Sequence, residues 1–256
     1  MRTRCNLMIW LSVLAALSLG CALAQEPYQA EVLARYPCDP ELFVQGLELV
    51  DKRLIVSSGL YGRSLIGELD LSSGKLMNTR PLDDHLFAEG LTAAGAGIWQ
   101  ITWREGIALL RDRQSLKELR RIAYDGEGWG LCHDGKQLYM SDGSASLTMR
   151  DPDTFEALGK LDVCLPGRTA VRLNELEYAE GFIYANIWLE DTIVKIDPAN
   201  GGAVTAYDLS ALRRLALADT VTPDPDAVLN GIAHVREDIF YIGGKRWPMI
   251  FLVRLP

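Results

Sequence analysis

Phe87-Ala88-Glu89-Gly90-Leu91 is one of five related stretches spaced along the chain. Phe43-Val44-Gln45-Gly46-Leu47 precedes it; Gly128-Trp129-Gly130-Leu131, Leu173-Asn174-Glu175-Leu176 and Leu229-Asn230-Gly231-Ile232 follow. Aligned on the closing apolar residue (Leu47, Leu91, Leu131, Leu176, Ile232), they step by 44, 40, 45 and 56 residues. Repeats of this length are the mark of propeller blades or helical arrays. Twelve residues beyond each anchor stands a second mark: Gly59, Trp103, Gly143, Trp188 and Gly244. The rest of each repeat decides between the two architectures.

In the fourth repeat, Asn174 to Tyr178 leads through a Glu180-Gly181 turn into Phe182 to Trp188. Thr192 to Ile196, the turn Asp197-Pro198-Ala199-Asn200-Gly201 and an alternating run from Ala203 to Leu209 complete it. Short β-branched and aromatic runs punctuated by Gly, Pro, Asn and Asp read as strands and hairpins. Four such strands in a meander make one propeller blade. Asp70, Asp112, Asp151 and Asp197 open equivalent turns, where a carboxylate can accept the backbone N–H two residues on. The fifth repeat ends at Pro256 after three strands, and Tyr28 to Tyr36 supplies an unassigned alternating one. The expectation is all-β: a five-bladed β-propeller of four-stranded antiparallel blades, its ring closed by that N-terminal strand so that no sheet edge is left open. Ser210 to Ala227, before the fifth blade, reads as a short helix and a loop over one end of the ring.

Residues 1–24 carry Arg2 and Arg4, an apolar run from Leu7 to Leu19 and Ala22-Leu23-Ala24. This is the pattern of a secretory signal cleaved after Ala24, so residues 25–256 are expected to form one propeller domain, exported to the periplasm or beyond. Leu19-Gly20-Cys21 partly matches a lipoprotein box, but Ser18 occupies a place where an aliphatic residue is preferred, which favours cleavage after Ala24. The apolar run is too short for a stable membrane span, which takes about 20 residues. The formal charge of −8 becomes −10 without Arg2 and Arg4, which argues against nucleic-acid and anionic-membrane partners, since both demand clustered cations. Cys38, Cys132 and Cys164 remain, an odd count that permits one disulfide or none.

The innermost strand of a propeller blade lines the axis. The residues before the repeated glycine or its equivalent, near one mouth, are Gln45, Glu89, Trp129, Asn174 and Asn230. Polar groups there fit a wet, hydrogen-bonded axis equally well. Trp103 and Trp188 fall on the second mark and Lys245 one place beyond it, with Tyr61 and Arg104 close by. Taken singly, Phe43, Phe87 or either tryptophan reads as core. Converging with Glu89 and Lys245 at one face, they describe an aromatic-walled pocket with a few polar groups. A lone acid in such a setting has its charged form desolvated and its pKa raised, which suits proton transfer near neutral pH. His85, His133 and His234 fall in different repeats, and no Cys/His pair has metal spacing. Nucleophile elbows and phosphate loops are missing from the sequence as well. The chemistry expected is acid–base, with no metal and no cofactor.

The same residues resemble those of the plant- and bacterial-type glutaminyl cyclases, the glutamine cyclotransferases. The matching stretches run through every blade: Phe43 to Leu47, Gly59-Leu60-Tyr61-Gly62, Phe87 to Gly90, Ile101-Thr102-Trp103, Gly126 to Leu131, Met140 to Ser144, Leu173 to Glu177, Tyr184 to Trp188 and Gly244 to Pro248. The resemblance implies a five-bladed propeller that converts an N-terminal glutamine of peptides or proteins into pyroglutamate and releases ammonia without zinc. It places the acid–base role on Glu89 and the substrate pocket on Phe43, Gln45, Phe87, Trp103, Trp129, Asn174, Trp188 and Lys245. Lys245, Asn174 and Gln45 are then the candidate donors to the developing oxyanion. Ile101 replaces a more usual Leu, and Val56 stands where the family often has an acid. Val56 favours one rival, a non-catalytic propeller binding peptides or small ligands in the same pocket; a metal-dependent lactonase-type propeller is the other. A monomer acting on peptides is expected.

Overall fold

The computed structural model describes residues 27–165 and 168–256; the signal-like segment 1–24 lies outside them. Five four-stranded antiparallel blades follow one another around an axis. The first blade runs Val44–Val50, Arg53–Ser58, Leu65–Asp70 and Lys75–Pro81, from the inside out. The innermost strands of the others are Ala88–Ala94, Leu131–His133, Leu173–Ala179 and Leu229–Arg236, and each touches the next around the ring. The anchor residues Leu47, Leu91, Leu131, Leu176 and Ile232 are all at most 1% exposed. Burying each contributes about 1.5–3 kcal/mol. The repeated glycine lets neighbouring blades close on one another. A Cβ on Gly90 would stand 2.7 Å from the Leu131 backbone nitrogen, and one on Gly130 would stand 2.0 Å from the Asn174 carbonyl.

The four Asp turns are built alike. Asp70, Asp112, Asp151 and Asp197 each accept a backbone N–H with Oδ1, from Ser72, Ser115, Asp153 and Ala199 in turn, at 2.8–2.9 Å. The fourth residue on (Gly74, Leu116, Phe155, Gly201) donates its N–H to the Asp carbonyl and takes a positive φ of 58° to 73°. In blades two and three that position is not glycine, and a buried arginine takes up the carbonyl it presents: Arg111 Nη1 on Leu116 at 3.1 Å, Arg150 Nη1 on Phe155 at 3.0 Å. Left-handed backbone at a bulky residue is strained, so the guanidinium holds what sequence alone disfavours.

The N-terminal segment divides its work. Glu31–Pro37 is the outer strand of blade five, antiparallel to Met249–Arg254, and closes the ring as expected. Tyr28–Gln29 instead joins blade four, parallel to its outer strand Ala203–Asp208. The single strand expected from 28 to 36 divides in two, because Ala203–Asp208 is the outermost strand of the blade-four meander and its outer edge takes Tyr28–Gln29. Ser210–Ala216 is the short helix of the fifth-blade insertion. A small hairpin, Cys164–Leu165 with Arg168–Thr169, precedes blade four and had no signal in the repeat. Among the described residues no helix is long and apolar enough to cross a membrane.

Candidate active site

In four blades the ladder slips at the polar position of the repeat: Val44/Gly46, Ala88/Leu91, Leu173/Leu176 and Leu229/Ile232 each mark a bulge in the inner strand. A bulge re-aims the side chains around it. In blade four this sends adjacent residues to different places. Asn174 lines the pocket at the mouth, whereas Glu175 reaches across the ring and accepts the backbone N–H groups of Leu47 at 3.1 Å and Ile232 at 2.9 Å. Glu175 holds the position that is glycine in every other repeat. The exception is visible in the sequence, but the tie that it makes between blades four, five and one is not.

The second mark positions the rim. Gly59 and Trp103 donate their backbone N–H to the carbonyls of Phe43 and Phe87, Trp188 to that of Arg172, and Lys245 to that of Val228, all at 2.8–3.0 Å. Where the mark is glycine it leaves room for a ring. A Cβ on Gly59 would stand 2.4 Å from the Phe87 ring, and one on Gly143 would stand 2.6 Å from that of Trp129. The alternation of Gly and Trp along the mark is therefore a packing pattern.

These devices gather Phe43, Gln45, Phe87, Glu89, Trp103, Trp129, Asn174, Trp188 and Lys245 around one cavity of about 270 Å³. Leu60 and Asp226 complete the lining. Neither was singled out from sequence, and Asp226 lies in the insertion, where the repeat gives no register. Asn230 is not part of it: its Nδ2 donates to the Val44 carbonyl at 3.0 Å, a structural role. The rings meet edge to face, Phe43 with Phe87 at 6.2 Å, Phe87 with Trp103 at 5.5 Å and Trp129 with Trp188 at 5.6 Å. Tyr61 stands edge-on to Phe87 at 5.2 Å. Arg104 lies 3.7 Å over the Trp103 ring.

Glu89 is buried and accepts a hydrogen bond from Gln45 Nε2 at 2.9 Å. Burial pushes its carboxyl well above the ordinary range; Lys245 pulls it back, and Glu105 and Glu127 push it further. Burial lowers Lys245 from its usual value, against the opposing pull of Glu89 and Asp226. Its Nζ sits 5.0 Å from the Phe43 ring centroid. Acid and amine are thus drawn toward each other in proton affinity, the arrangement that lets a proton move at neutral pH. Gln45, expected as an oxyanion donor, spends one of its two side-chain N–H groups on orienting Glu89.

Val56 is fully buried and packs with Val44, Leu47, Leu54, Leu69 and Ile250 in the apolar cluster of blade one. It does not touch the cavity. The departure at this position alters the core and leaves the pocket intact, which removes the ground for a binding-only reading. Among the described residues no three His, Cys, Asp or Glu side chains stand at metal-binding spacing.

The family model described as glutamine cyclotransferase matches residues 6–255. The chain belongs to the glutamine cyclotransferase family. It is 36% identical over 230 residues to a glutaminyl-peptide cyclotransferase of Arabidopsis thaliana, covering 89% of this chain and 71% of that one. The crystal structure of Myxococcus xanthus glutaminyl cyclase superimposes with a TM-score of 0.83 at 37% identity, covering 90% of this chain and 98% of that one.

Proposed function

We infer that the protein is a glutaminyl-peptide cyclotransferase, an aminoacyltransferase that turns N-terminal glutamine into pyroglutamate. The observation that carries the reading is Glu89, buried among aromatic walls, oriented by Gln45 and balanced against Lys245. In the reaction the substrate's α-nitrogen forms a bond to its own side-chain amide carbon, and the bond from that carbon to the amide nitrogen breaks. One proton leaves the attacking nitrogen and one reaches the departing nitrogen, which goes as ammonia. Glu89 takes the first and delivers the second, a single group serving both half-reactions. Asn174 and Lys245 supply hydrogen bonds to the amide oxygen as it gains charge, a contribution of about 3–4 kcal/mol per donor in comparable sites. Trp103, Trp129 and Trp188 hold the substrate curled so that the two reacting atoms meet, and they keep water out.

The substrates are peptides or proteins that begin with glutamine, and the cavity admits a residue of that size. The signal-like pattern of residues 1–24 supports export to the periplasm or beyond. The acidic charge supports a chain with no nucleic-acid partner, acting as a monomer. Incubation of the purified chain with a glutaminyl peptide tests the activity: ammonia must appear at a rate proportional to enzyme, with a product carrying a blocked N-terminus. A protein that binds the peptide without releasing ammonia rules the activity out.

A further inference from the structure

The aromatic lining is built as two separate series. Phe43, Phe87 and Trp103 form one, Trp129 and Trp188 the other, and among the described residues no ring-to-ring contact joins them. What joins them is one carboxylate. Glu127 Oε2 accepts the indole N–H of Trp103 at 2.9 Å and that of Trp129 at 3.1 Å. Its other oxygen receives Arg104 Nε at 3.3 Å, and the same guanidinium covers the Trp103 ring. An indole offers one donor and no acceptor, so each tryptophan commits its only polar group to this oxygen.

Resting on the cyclotransferase reading above, we propose that Glu127 is a positioning residue for cyclisation: it fixes the separation of the Trp103 and Trp129 walls and so the curled conformer of the substrate. Trp103 follows the second strand of blade two, and Trp129 precedes the inner strand of blade three. The two walls therefore belong to different sheets, and sheet hydrogen bonds alone do not fix the gap between their side chains. Ring closure within glutamine is sensitive to that gap, because a displacement near 1 Å can cost about 10²-fold in rate. The backbone around Glu127 has its own ties, Gly128 N–H to the Trp103 carbonyl at 2.9 Å and Tyr124 Oη to the Thr102 carbonyl at 2.5 Å. The Glu127 side chain is 40% exposed, so its removal leaves the fold supported.

The test compares Glu127→Leu and Glu127→Gln with wild type in steady-state ammonia release from a glutaminyl peptide, beside their thermal melts. Glutamine can place its carbonyl oxygen where Oε2 stands and keep both indole bonds; leucine offers no acceptor. Glu127→Leu should lower kcat by about 10–100-fold with a smaller change in KM, while Glu127→Gln stays within about threefold. The double variant Trp103→Phe/Trp129→Phe keeps both aromatic faces but no N–H donor, and it should lose kcat as Glu127→Leu does. A folded Glu127→Leu protein with wild-type kcat overturns the clamp. Equal losses in the Leu and Gln variants also overturn it, since they assign the effect to charge. If Glu127→Leu does not fold, a wild-type kcat in the double phenylalanine variant overturns the proposal. Wild type that releases no ammonia is a separate failure, which removes the cyclotransferase reading itself.

Discussion

Glu89 and Trp103 show how far a single side chain depends on the one repeat position it occupies. Glu89 is aimed by a bulge, oriented by Gln45 from the neighbouring blade, and kept from ionising freely by burial. Trp103 and Trp188 stand one residue beyond second strands, half-buried, lining the cavity. Replacing a core tryptophan with alanine costs about 3–5 kcal/mol; rings packed on one side only should cost less. Trp103→Ala and Trp188→Ala are therefore expected to raise KM or lower kcat by more than they lower stability. Calorimetry beside kinetics decides this: the full core-sized stability loss with unchanged kinetics returns both residues to packing. Most of the pocket was legible because position in the repeat fixes both strand and face. Phe43 and Phe87 looked like core singly and became walls only through their register. Glu127 and Asp226 were not legible, since one acts through two indoles from different blades and the other sits outside the periodicity.

At the scale of elements, strand number and turn chemistry could be read directly. The Asp turns appear at all four expected places because the Asp carboxylate satisfies its own turn locally. What escaped the sequence was non-local. The two-residue strand Tyr28–Gln29 finds a parallel partner in Ala203–Asp208, 179 residues along the chain. Closure rests on Glu31–Pro37, whose pairing with Met249–Arg254 covers the outer edge of blade five. Removing residues 28–37 should abolish cooperative unfolding, whereas removing only 28 and 29 should leave a single transition at slightly lower temperature. A truncation lacking 28–37 that melts as wild type does would show that the ring holds without its closing strand.

Across the whole molecule, carboxylates on the inner strands of blades one and four act on one another electrostatically, Glu48 raising Glu175 and Glu177. Burial raises Glu48 to about 7 from its ordinary 4.5, and raises Glu175 and Glu177 well above it. A carboxyl whose folded pKa exceeds its unfolded one holds a proton in the native state after the unfolded chain has lost it. Its stabilising contribution is complete below about pH 4.5 and is lost as pH climbs toward and past 7. The turn residues Asp70, Asp112 and Asp151 shift downward through their hydrogen bonds, so they withdraw stability only as pH falls below their ordinary 3.8. The melting temperature should therefore peak near pH 5 and decline toward pH 8. The paired variant Glu48→Gln/Glu177→Gln should flatten that decline; an unchanged slope in this variant would relocate its origin.

The proposed role of Glu89 is to move the proton during ring closure, and the decisive measurement is ammonia release by Glu89→Gln across a range of pH. Glutamine preserves the shape and can still meet Gln45, but it cannot carry a proton. Wild type should lose activity as pH falls through a pKa raised above the ordinary carboxylate range, because the base is then already protonated. Glu89→Gln should be folded and at least as stable as wild type, with kcat lower by about 10²–10⁴-fold and no such acid limb. A folded variant that turns over within a few-fold of wild type and keeps the same pH profile would contradict it.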